Sequence, residues 1–586
     1  MKSKALASLA AFVFCFLIWS FQNDPGKSEK QQQKKQLPVF KLSTPQLSES
    51  FIQNAGKNIL GISGKTFRLE DKMAVEENLK LIEMDMKTGA IWASDRAEMW
   101  NPESKAQLPD DKKARLIADN LLSQSKLLPQ KTKFASYEYS NTGNSIASTF
   151  RMDTKQRSDK KIDVQINYSL KISPEFNPEF AKIPVLGGGT ELSVTIGDGG
   201  KVIGFSGILR QAEEVAGMYE MIDNNAADEQ FRRLTSNLKD VKFSSVLGYY
   251  TAPLGTESFL YPVYSYSGTA TVNGEKIPLR IVNIPATTFN KFIPPAKEIL
   301  SRTAKTFPQR RATVPEENTE RGDKINTKQP LYFKGGNGFG YTPPQASWKE
   351  CGTSWIGESG GLGGSRNNTK GFIDKLSAEG WAVNFNWGDG NAFESDWRRD
   401  DDSWVDATDF VFYAGHANMN GWTLSNPDDG SLSFSEVGTV PENPGDLWGQ
   451  QDLEWVVIAA CGPLQDAVLA TGGGSVFERW DGAFDGLHQL LGYGSVTYDN
   501  EDEGKKLAQY CRDGNTIIDA WFRTAREVQP SSNTYGAPDG PAIYVGVMYA
   551  YNTSLPSPHN DHIWGRGSVA IDSRSPNYYV AIWTRC

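Results

Sequence analysis

The chain has 586 residues, of which 39% are apolar and 22% are charged, and its formal net charge is −9. This length exceeds what one hydrophobic core serves and predicts two or three domains. The composition excludes a disordered chain and a polytopic membrane protein, and the negative charge argues against a general nucleic-acid binder.

The charge is divided unevenly along the chain. Residues 346–586 carry 15 basic and 33 acidic residues, a net charge of −18, whereas residues 1–345 carry a net charge of +9. Thirteen of the 16 tryptophans also follow position 346. We therefore predict two differently built halves, and we expect the basic N-terminal half to dock on the acidic C-terminal half.

The first 22 residues have the pattern of a targeting segment. Lys2 and Lys4 precede an apolar run, Ala5–Phe21, which indicates a signal peptide and therefore a secreted or cell-envelope protein. No small-x-small cleavage site follows. The segment could therefore also remain uncleaved as an N-terminal anchor, which would be the one contact of the protein with a membrane. Residues 23–40 are rich in Gln and Lys and predict a flexible stalk.

Residues 41–299 have the pattern of an α+β region with antiparallel sheets. The predicted elements are a helix at Pro109–Ser123, strands at Lys161–Ile172, Thr190–Ile196 and Val202–Leu209, a second helix near Asn225–Leu238, and strands near Ser258–Ser267 and Ile277–Ile284. A helix followed by antiparallel strands occurs twice, which predicts two modules, about 41–210 and 211–299.

Two stretches of this region, PDDKKARLIADNLL and LYPVYSYSGTATVNGEKIPLRIVNIPA, resemble the small α+β propeptide modules of secreted peptidases. The resemblance implies a zymogen whose N-terminal half is a prosegment. Residues 300–345 form a predicted linker that is rich in Pro, Thr, Gly and basic residues. Because exposed basic linkers are readily cleaved, a cut near Arg310–Arg311 would release the prosegment.

Residues 346–586 alternate between helical and strand patterns, which predicts an α/β domain. The expected helices lie at Asn368–Ala378, Gln465–Leu469, Gly504–Cys511 and Thr516–Glu527, and the expected strands at Trp381–Trp387, Phe410–Ala414, Trp455–Ala460, Ala542–Tyr549 and Tyr578–Trp583. Two of these strands are apolar on both faces, which is typical of central strands in a mostly parallel sheet with flanking helices.

Both central strands end on residues that can carry chemistry. The first is followed by Gly415, His416 and Ala417, and the second by Cys461 and Gly462. In an open parallel sheet, sites form at the carboxyl ends of the strands, so we expect His416 and Cys461 to form a thiol–imidazole pair. The glycines would allow tight turns, and the backbone amides of Ala417 and Cys461 could bind an oxyanion.

An apolar strand ending in Gly-His and a later one ending in Ala-Cys resemble the caspase-like cysteine peptidases, the clan of caspases, gingipains, legumains and clostripains. Leu490–Val496 (LLGYGSV) and Gly504–Arg526 extend the resemblance, which covers about 200 residues. It implies a caspase-like fold with His416 as the catalytic histidine and Cys461 as the nucleophile. The family usually has His-Gly where this chain has His416-Ala417, which puts activity in question.

The sequence thus predicts an exported cysteine endopeptidase that acts on proteins or peptides and requires no cofactor. The main alternative is a non-catalytic caspase-like surface protein that binds glycan or protein through its Trp-rich loops. His488 is the alternative base, and Ca²⁺ could bind the acidic runs Asp400–Asp402 and Glu501–Glu503. Cys351 and Cys586 could join the two ends of the last domain through a disulfide.

Overall fold

The structure of the protein is a computed structural model. It describes residues 35–43, 48–125, 134–173, 182–187, 191–209, 211–251, 259–272, 275–279, 281–289, 349–357, 362–398, 400–425, 431–437, 447–532 and 542–586. The apolar run Ala5–Phe21 and the linker 300–345 lie outside these residues. Within them, no helix combines the length and apolarity needed to cross a bilayer.

The N-terminal half is built mainly from antiparallel strands. Its strands are β1 (Gln36–Ser43), β2 (Thr66–Leu69), β3 (Lys72–Glu77), β4 (Lys80–Asp85), β5 (Ala90–Asp95), β6 (Ala135–Gly143), β7 (Ile146–Arg151), β8 (Arg157–Lys161), β9 (Val164–Ile172), β10 (Ile183–Leu186), β11 (Glu191–Ile196), β12 (Val202–Ile208), β13 (Gln211–Glu220), β14 (Lys239–Tyr250), β15 (Phe259–Val272), β16 (Glu275–Pro278) and β17 (Val282–Pro285). Its helices are α1 (Glu49–Leu60), α2 (Asp111–Ser125) and α3 (Asn224–Leu234).

All of these strands except β7 and β8 belong to one 15-stranded sheet, whose main path runs β13-β1-β15-β14-β10-β9-β11-β12-β5-β4-β3-β2. Helix α2 packs on this sheet through Ala114, Ala118 and Leu122, which recur every four residues and are buried. The predicted hairpin is confirmed, because β11 and β12 pair antiparallel. The mixed α/β composition expected for this half is therefore confirmed.

Strand β1 changes the interpretation of the predicted stalk. It begins at Gln36, inside the 23–40 segment, and pairs with β13 and β15. Leu37 and Phe40 are fully buried. The apolar run around Pro38 thus contributes to the core of the large sheet, and the prediction of a stalk is wrong for residues 36–40.

The C-terminal half begins with parallel strands and ends with antiparallel ones. Its strands are β18 (Glu350–Trp355), β19 (Ala382–Gly388), β20 (Phe410–Ala414), β21 (Gly421–Thr423), β22 (Ser431–Ser433), β23 (Trp455–Ala459), β24 (Gln489–Tyr493), β25 (Tyr544–Tyr551) and β26 (Tyr578–Arg585). Its helices are α4 (Ser365–Ser377), α5 (Val476–Trp480), α6 (Glu503–Arg512) and α7 (Ile517–Val528).

One predicted helix of this half is wrong. In place of the helix at Gln465–Leu469, the structure has a single 3₁₀ turn at Ala467–Leu469. The Asp466 side chain caps the first turn, and Ala470 follows in the left-handed region with φ 55°, so the turn cannot continue as an α-helix.

The nine-stranded sheet has the order β19-β18-β20-β23-β24-β25-β26-β7-β8. The first five strands are parallel, and the remaining four pair antiparallel. Residues of α4, α6 and α7 pack on one face, and a tryptophan-rich cluster that includes α5 covers the other. Both faces of the central strands are therefore buried, as their continuous apolar sequence predicts.

The two halves share this sheet. Strand β7 pairs with β26 from Ile146 opposite Trp583 to Arg151 opposite Tyr578. Hairpin β7–β8 therefore belongs to the C-terminal sheet, although its residues lie inside the predicted 41–299 region. The expected docking of a basic N-terminal half on an acidic C-terminal half stays a prediction.

Buried contacts outside the sheet also join the halves. Glu83 lies 2.8 Å from Lys72 and 3.2 Å from Arg523, and Trp100 meets Phe522 edge to face. The two cations, acting against burial, hold the pKa of Glu83 at about 2. One hydrophobic cluster contains residues of both halves.

Cys351, Cys461, Cys511 and Cys586 are all free thiols. Cys351 lies in β18 and Cys586 follows β26, and four strands separate β18 from β26 in the sheet. At about 4.8 Å per strand, the separation is roughly 24 Å, whereas a disulfide needs Cα atoms within about 7 Å. The predicted disulfide between the ends of the domain is therefore wrong.

Candidate active site at the carboxyl rim of the C-terminal sheet

The strand register brings His416 and Cys461 to the same edge of the sheet. Strands β20 and β23 are parallel neighbours, with Ala414 opposite Ala459. His416 and Cys461 each follow two residues after this matched pair. Because neighbouring strands lie about 4.8 Å apart, both residues leave the sheet side by side at its carboxyl ends, which we call the carboxyl rim.

The sulfur of Cys461 contacts the loop that follows β24. The backbone N–H of Thr497 donates to Sγ at 3.2 Å, and Sγ lies 3.5 Å from the Thr497 carbonyl oxygen as a donor. The Thr497 hydroxyl lies 3.9 Å from the same sulfur. This loop therefore offers a donor that a thiolate can use and an acceptor that a neutral thiol can use. No local sequence pattern indicates Thr497, because only the register of β24 beside β23 places it next to the sulfur.

The backbone of His416 is held from two sides. Its carbonyl oxygen accepts hydrogen bonds from the Thr423 N–H at 2.9 Å and from the Tyr413 hydroxyl at 3.3 Å. Ala417 forms an antiparallel bridge with Trp422. These contacts fold residues 416–423 into a hairpin over the end of β20 and fix the point from which the imidazole projects.

The two predicted turn glycines are required for different reasons. Gly462 has φ 77°, in the left-handed region, where a side chain is strained. Gly415 is needed for space, because a Cβ atom there would lie 2.1 Å from the Tyr413 hydroxyl oxygen. A tight turn thus explains Gly462, and the close approach of a phenol explains Gly415.

Ala417 fits its position without backbone strain. Among the described residues, those other than glycine with positive φ do not include Ala417, so the alanine incurs no conformational cost relative to glycine. The hydrogen bonds that flank its bridge use the His416 carbonyl and the Asn418 N–H. They leave the Ala417 amide outside the bridge, as its proposed use as an oxyanion donor requires.

Both candidate catalytic side chains are buried. His416 is 0% exposed and Cys461 is 1% exposed. Catalytic cysteines ordinarily lie in partly exposed surroundings, whereas inert cysteines are buried. A peptide carbonyl can reach this sulfur only after the residues that cover it move.

The opposite edge of the same strands carries a carboxylate cluster, and we call this edge the amino rim. Oxygens of Asp409, Asp452 and Glu454 all lie within 4.8 Å of one another. Burial raises the pKa of Asp409 well above its usual value, and the charges of Asp452 and Glu454 add to this rise. Asp409 accepts hydrogen bonds from the Trp564 indole at 2.8 Å and the Glu350 N–H at 2.6 Å. Three carboxylates this close are chemically suited to a hard cation such as Ca²⁺.

The acidic runs expected to bind Ca²⁺ do not form this cluster. Asp401 is buried and its carboxylate accepts the Asp402 N–H, while Asp400 and Asp402 are exposed. Glu503 is also buried and accepts hydrogen bonds from the Tyr493 hydroxyl and the Gln529 amide, both at 2.7 Å. The one carboxylate group in the described residues that satisfies metal-ligand spacing is on the amino rim.

His488 is excluded as the alternative base. It precedes β24 at the amino rim, and its Nδ1 lies 2.6 Å from Asp561 while its Nε2 lies 3.4 Å from Asp572. Although burial opposes the charged form, these two carboxylates raise the pKa of His488 to about 10. His488 is therefore a buried cation at neutral pH, and it lies at the opposite edge of the sheet from Cys461.

One family model matches the C-terminal half of the chain. No curated protein matches the chain. A crystal structure of an uncharacterized protein from Eubacterium rectale matches with 11% identity over 44% of this chain and 86% of that chain, at a TM-score of 0.26, which is too low to support an argument. Residues 350–585 match the family model described as a domain of unknown function, DUF6345. The matched segment begins at the first residue of β18 and ends at the last residue of β26.

Proposed function

We propose that the C-terminal half is a caspase-like cysteine hydrolase that cleaves peptide bonds, with Cys461 as nucleophile and His416 as acid and base. The observation that carries the proposal is the matched register of β20 and β23, which puts an imidazole and a thiol at neighbouring strand ends. A nucleophile beside a base on such a rim is the arrangement that covalent catalysis requires.

The strand order supports a site at the carboxyl rim. Counted along the chain, the five parallel strands have the order 2-1-3-4-5. Doubly wound sheets of this order place their ligands outside the carboxyl ends of the strands, near the point where the order reverses. His416 follows the third strand and Cys461 the fourth, so the candidate pair lies beside that point.

The chemistry follows from these groups. His416 takes the thiol proton as Cys461 Sγ forms a bond to the carbonyl carbon, and the resulting imidazolium protonates the amine as the C–N bond breaks. Water then hydrolyses the thioester, which releases the acid and restores the thiol. The amides of Ala417 and Cys461 stabilise the oxyanion, each contributing roughly 10²–10³ in rate.

The burial of the site makes turnover depend on an opening of the carboxyl rim. Because both reactive side chains are buried, a peptide must displace the cover over the carboxyl rim before it reaches Sγ. The buried ion pairs and the shared strand between the halves favour an N-terminal half that stays bound, in contrast to a prosegment released after cleavage of the linker.

A second candidate function is a non-catalytic binding domain, and the burial of Cys461 favours it. In that case, the thiol is a small core residue. The Trp-rich loops expected to bind glycan do not supply an exposed platform at Trp387 or Trp397, because both side chains are buried. A binding function would need another surface.

Alkylation with iodoacetamide separates the two functions. In the full-length protein, we expect Cys461 to react faster than Cys511, with a pH midpoint below the value of about 8.5 for free cysteine. Cys461→Ser identifies the labelled site, and Cys511, which is also buried, is the matched control. Slow and equal labelling of both thiols would support the binding domain.

A screen of fluorogenic peptides ending in Arg, Lys, Asn or Asp then tests hydrolysis. We expect turnover by the full-length protein and none by Cys461→Ala. Equal turnover by both proteins would rule out Cys461 as the nucleophile.

A further inference from the structure

The loop that follows Cys461 is held by hairpin β7–β8 of the N-terminal half. Arg157 donates two hydrogen bonds to Asp466, from Nη1 to Oδ2 at 2.9 Å and from Nη2 to Oδ1 at 2.6 Å. Phe150 of the same hairpin stacks on Phe477 with ring centroids 5.4 Å apart. The hairpin thus contacts both the loop and helix α5 that follows it.

Asp466 fastens both ends of this loop. Its side chain is fully buried and accepts the backbone N–H groups of Val468 and Val476, both at 2.9 Å. A buried carboxylate is stable as a charged group when a cation and hydrogen-bond donors satisfy it. Arg157 is the cation that hydrogen-bonds to the Asp466 carboxylate, while Arg479 of helix α5 adds a second positive charge near it and donates to the Gly473 and Gln465 carbonyls. The loop between residues 466 and 476 is thus held in part by a residue of the other half.

Three hydrogen bonds hold the chain between Cys461 and Asp466. Gly462 donates its N–H to the Ser495 carbonyl at 3.1 Å, and Leu464 donates to the Tyr493 carbonyl at 3.0 Å. The Trp583 indole donates to the Leu464 carbonyl at 2.9 Å. A shift of Asp466 therefore strains the backbone bonds that fix the strand end from which Cys461 projects.

We propose that Arg157 is a positioning residue for Cys461, which it serves by fixing Asp466 and the loop after the thiol, so that the reactive geometry requires both halves of the chain. The proposal rests on the proposed function. It assigns hairpin β7–β8 a role in the C-terminal site beyond completing the sheet.

The test compares the pH profile of Cys461 alkylation in full-length variants. Arg157→Met should move the midpoint upward by about one pH unit and slow peptide turnover roughly 10- to 100-fold, because small displacements of reacting groups cost this much. Arg157→Lys should restore part of both, since it keeps the positive charge. Arg151→Met is the matched control, because Arg151 lies on the same hairpin and pairs with the exposed Asp153.

The outcomes separate this inference from the proposed function. A wild-type midpoint at or above that of free cysteine would defeat the proposed function itself. A low wild-type midpoint that Arg157→Met leaves unchanged, with Arg157→Met folded by thermal melting, would overturn the role of Arg157 alone. If Arg157→Met does not fold, Asp466→Asn, which keeps the side-chain shape and removes the charge, decides the question by the same two readouts.

Discussion

The two rims of the C-terminal sheet use the same pair of strands for opposite chemistry. Strand β20 follows Asp409 and precedes His416, and strand β23 follows Glu454 and precedes Cys461. The register that brings the imidazole and the thiol together at one end brings carboxylates together at the other. Parallel strand pairing thus brings side chains together at both rims whatever their charge. The loops around each rim determine whether the neighbouring side chains can react or whether their proximity costs folding free energy.

The amino rim shows how the fold manages such a cost. Buried like charges raise the pKa of Asp409, so the cluster either shares a proton or takes up a cation. The neighbouring His488 is held as a cation by Asp561 and Asp572. At the carboxyl rim, the polar contacts of the sulfur come from backbone groups such as the Thr497 N–H. This donor can stabilise a negative charge when the thiol loses its proton.

The largest expected effect comes from removing the candidate nucleophile at the carboxyl rim. Cys461→Ala should lower kcat/KM for a cleaved peptide by roughly 10⁴-fold or more, since loss of a nucleophile removes the covalent route. Steady-state hydrolysis of a fluorogenic peptide measures the change. Cys586→Ala is the control, because this half-buried residue follows β26, three strands away from β23 along the same edge of the sheet, and its loss should leave turnover unchanged.

The next effect concerns the charged histidine of the amino rim. The pKa of His488 is raised to about 10 in the folded protein, against about 6.5 unfolded. Its stabilisation is therefore complete below pH 6.5 and is lost as the pH rises toward 10, on the order of 3–5 kcal/mol in all. Urea unfolding between pH 6 and 10 measures this loss.

His488→Gln is the control for that experiment, because glutamine cannot titrate. We expect its unfolding free energy to change much less over the same pH interval. Parallel pH dependences of the wild type and this variant would show that the pair with Asp561 does not carry the effect.

A smaller effect tests the carboxylate cluster. Asp452→Asn removes the largest charge contribution to the raised pKa of Asp409. A carboxyl with a raised pKa destabilises the fold increasingly as the pH rises above its unfolded value of about 3.9. The variant should therefore be more stable than the wild type by about 1 kcal/mol at pH 8 in EDTA, and equal to it near pH 4.

Urea unfolding with and without added Ca²⁺ completes this test. Asp402→Asn, at an exposed carboxylate, should behave as the wild type. Stabilisation of the wild type by Ca²⁺, which Asp452→Asn abolishes, would contradict a shared proton and assign the cluster to a cation.

The smallest effect concerns Ala417, at a position where the caspase-like peptidases that the sequence resembles usually have glycine. Because Ala417 lacks a positive φ, Ala417→Gly should leave peptide turnover within about twofold and lower the unfolding free energy by about 0.5 kcal/mol through the greater entropy of the unfolded chain. Kinetics and thermal melting measure the two changes. A large gain in activity would show that the alanine, and not the closed cover, limits the site.

The sequence predicts the central elements well because their signals are local. The continuous apolar runs at Phe410–Ala414 and Trp455–Ala460 coincide with β20 and with β23, which ends at Ala459. The four-residue spacing of apolar residues predicts α2. The polar residues that follow the strands then indicate His416 and Cys461, since strand ends of a parallel sheet share an edge.

By itself, the sequence thus determined which residues form the strands and which side chains stand at their ends, because hydrophobic periodicity and turn residues act over a few positions. Only the tertiary structure decided that β7 and β8 join the C-terminal sheet, that Thr497 contacts the sulfur, that Arg157 pairs with Asp466, and that both candidate catalytic side chains are buried. These contacts join residues far apart in the chain. Their choice depends on packing and charge compensation across the whole fold, which no local pattern contains.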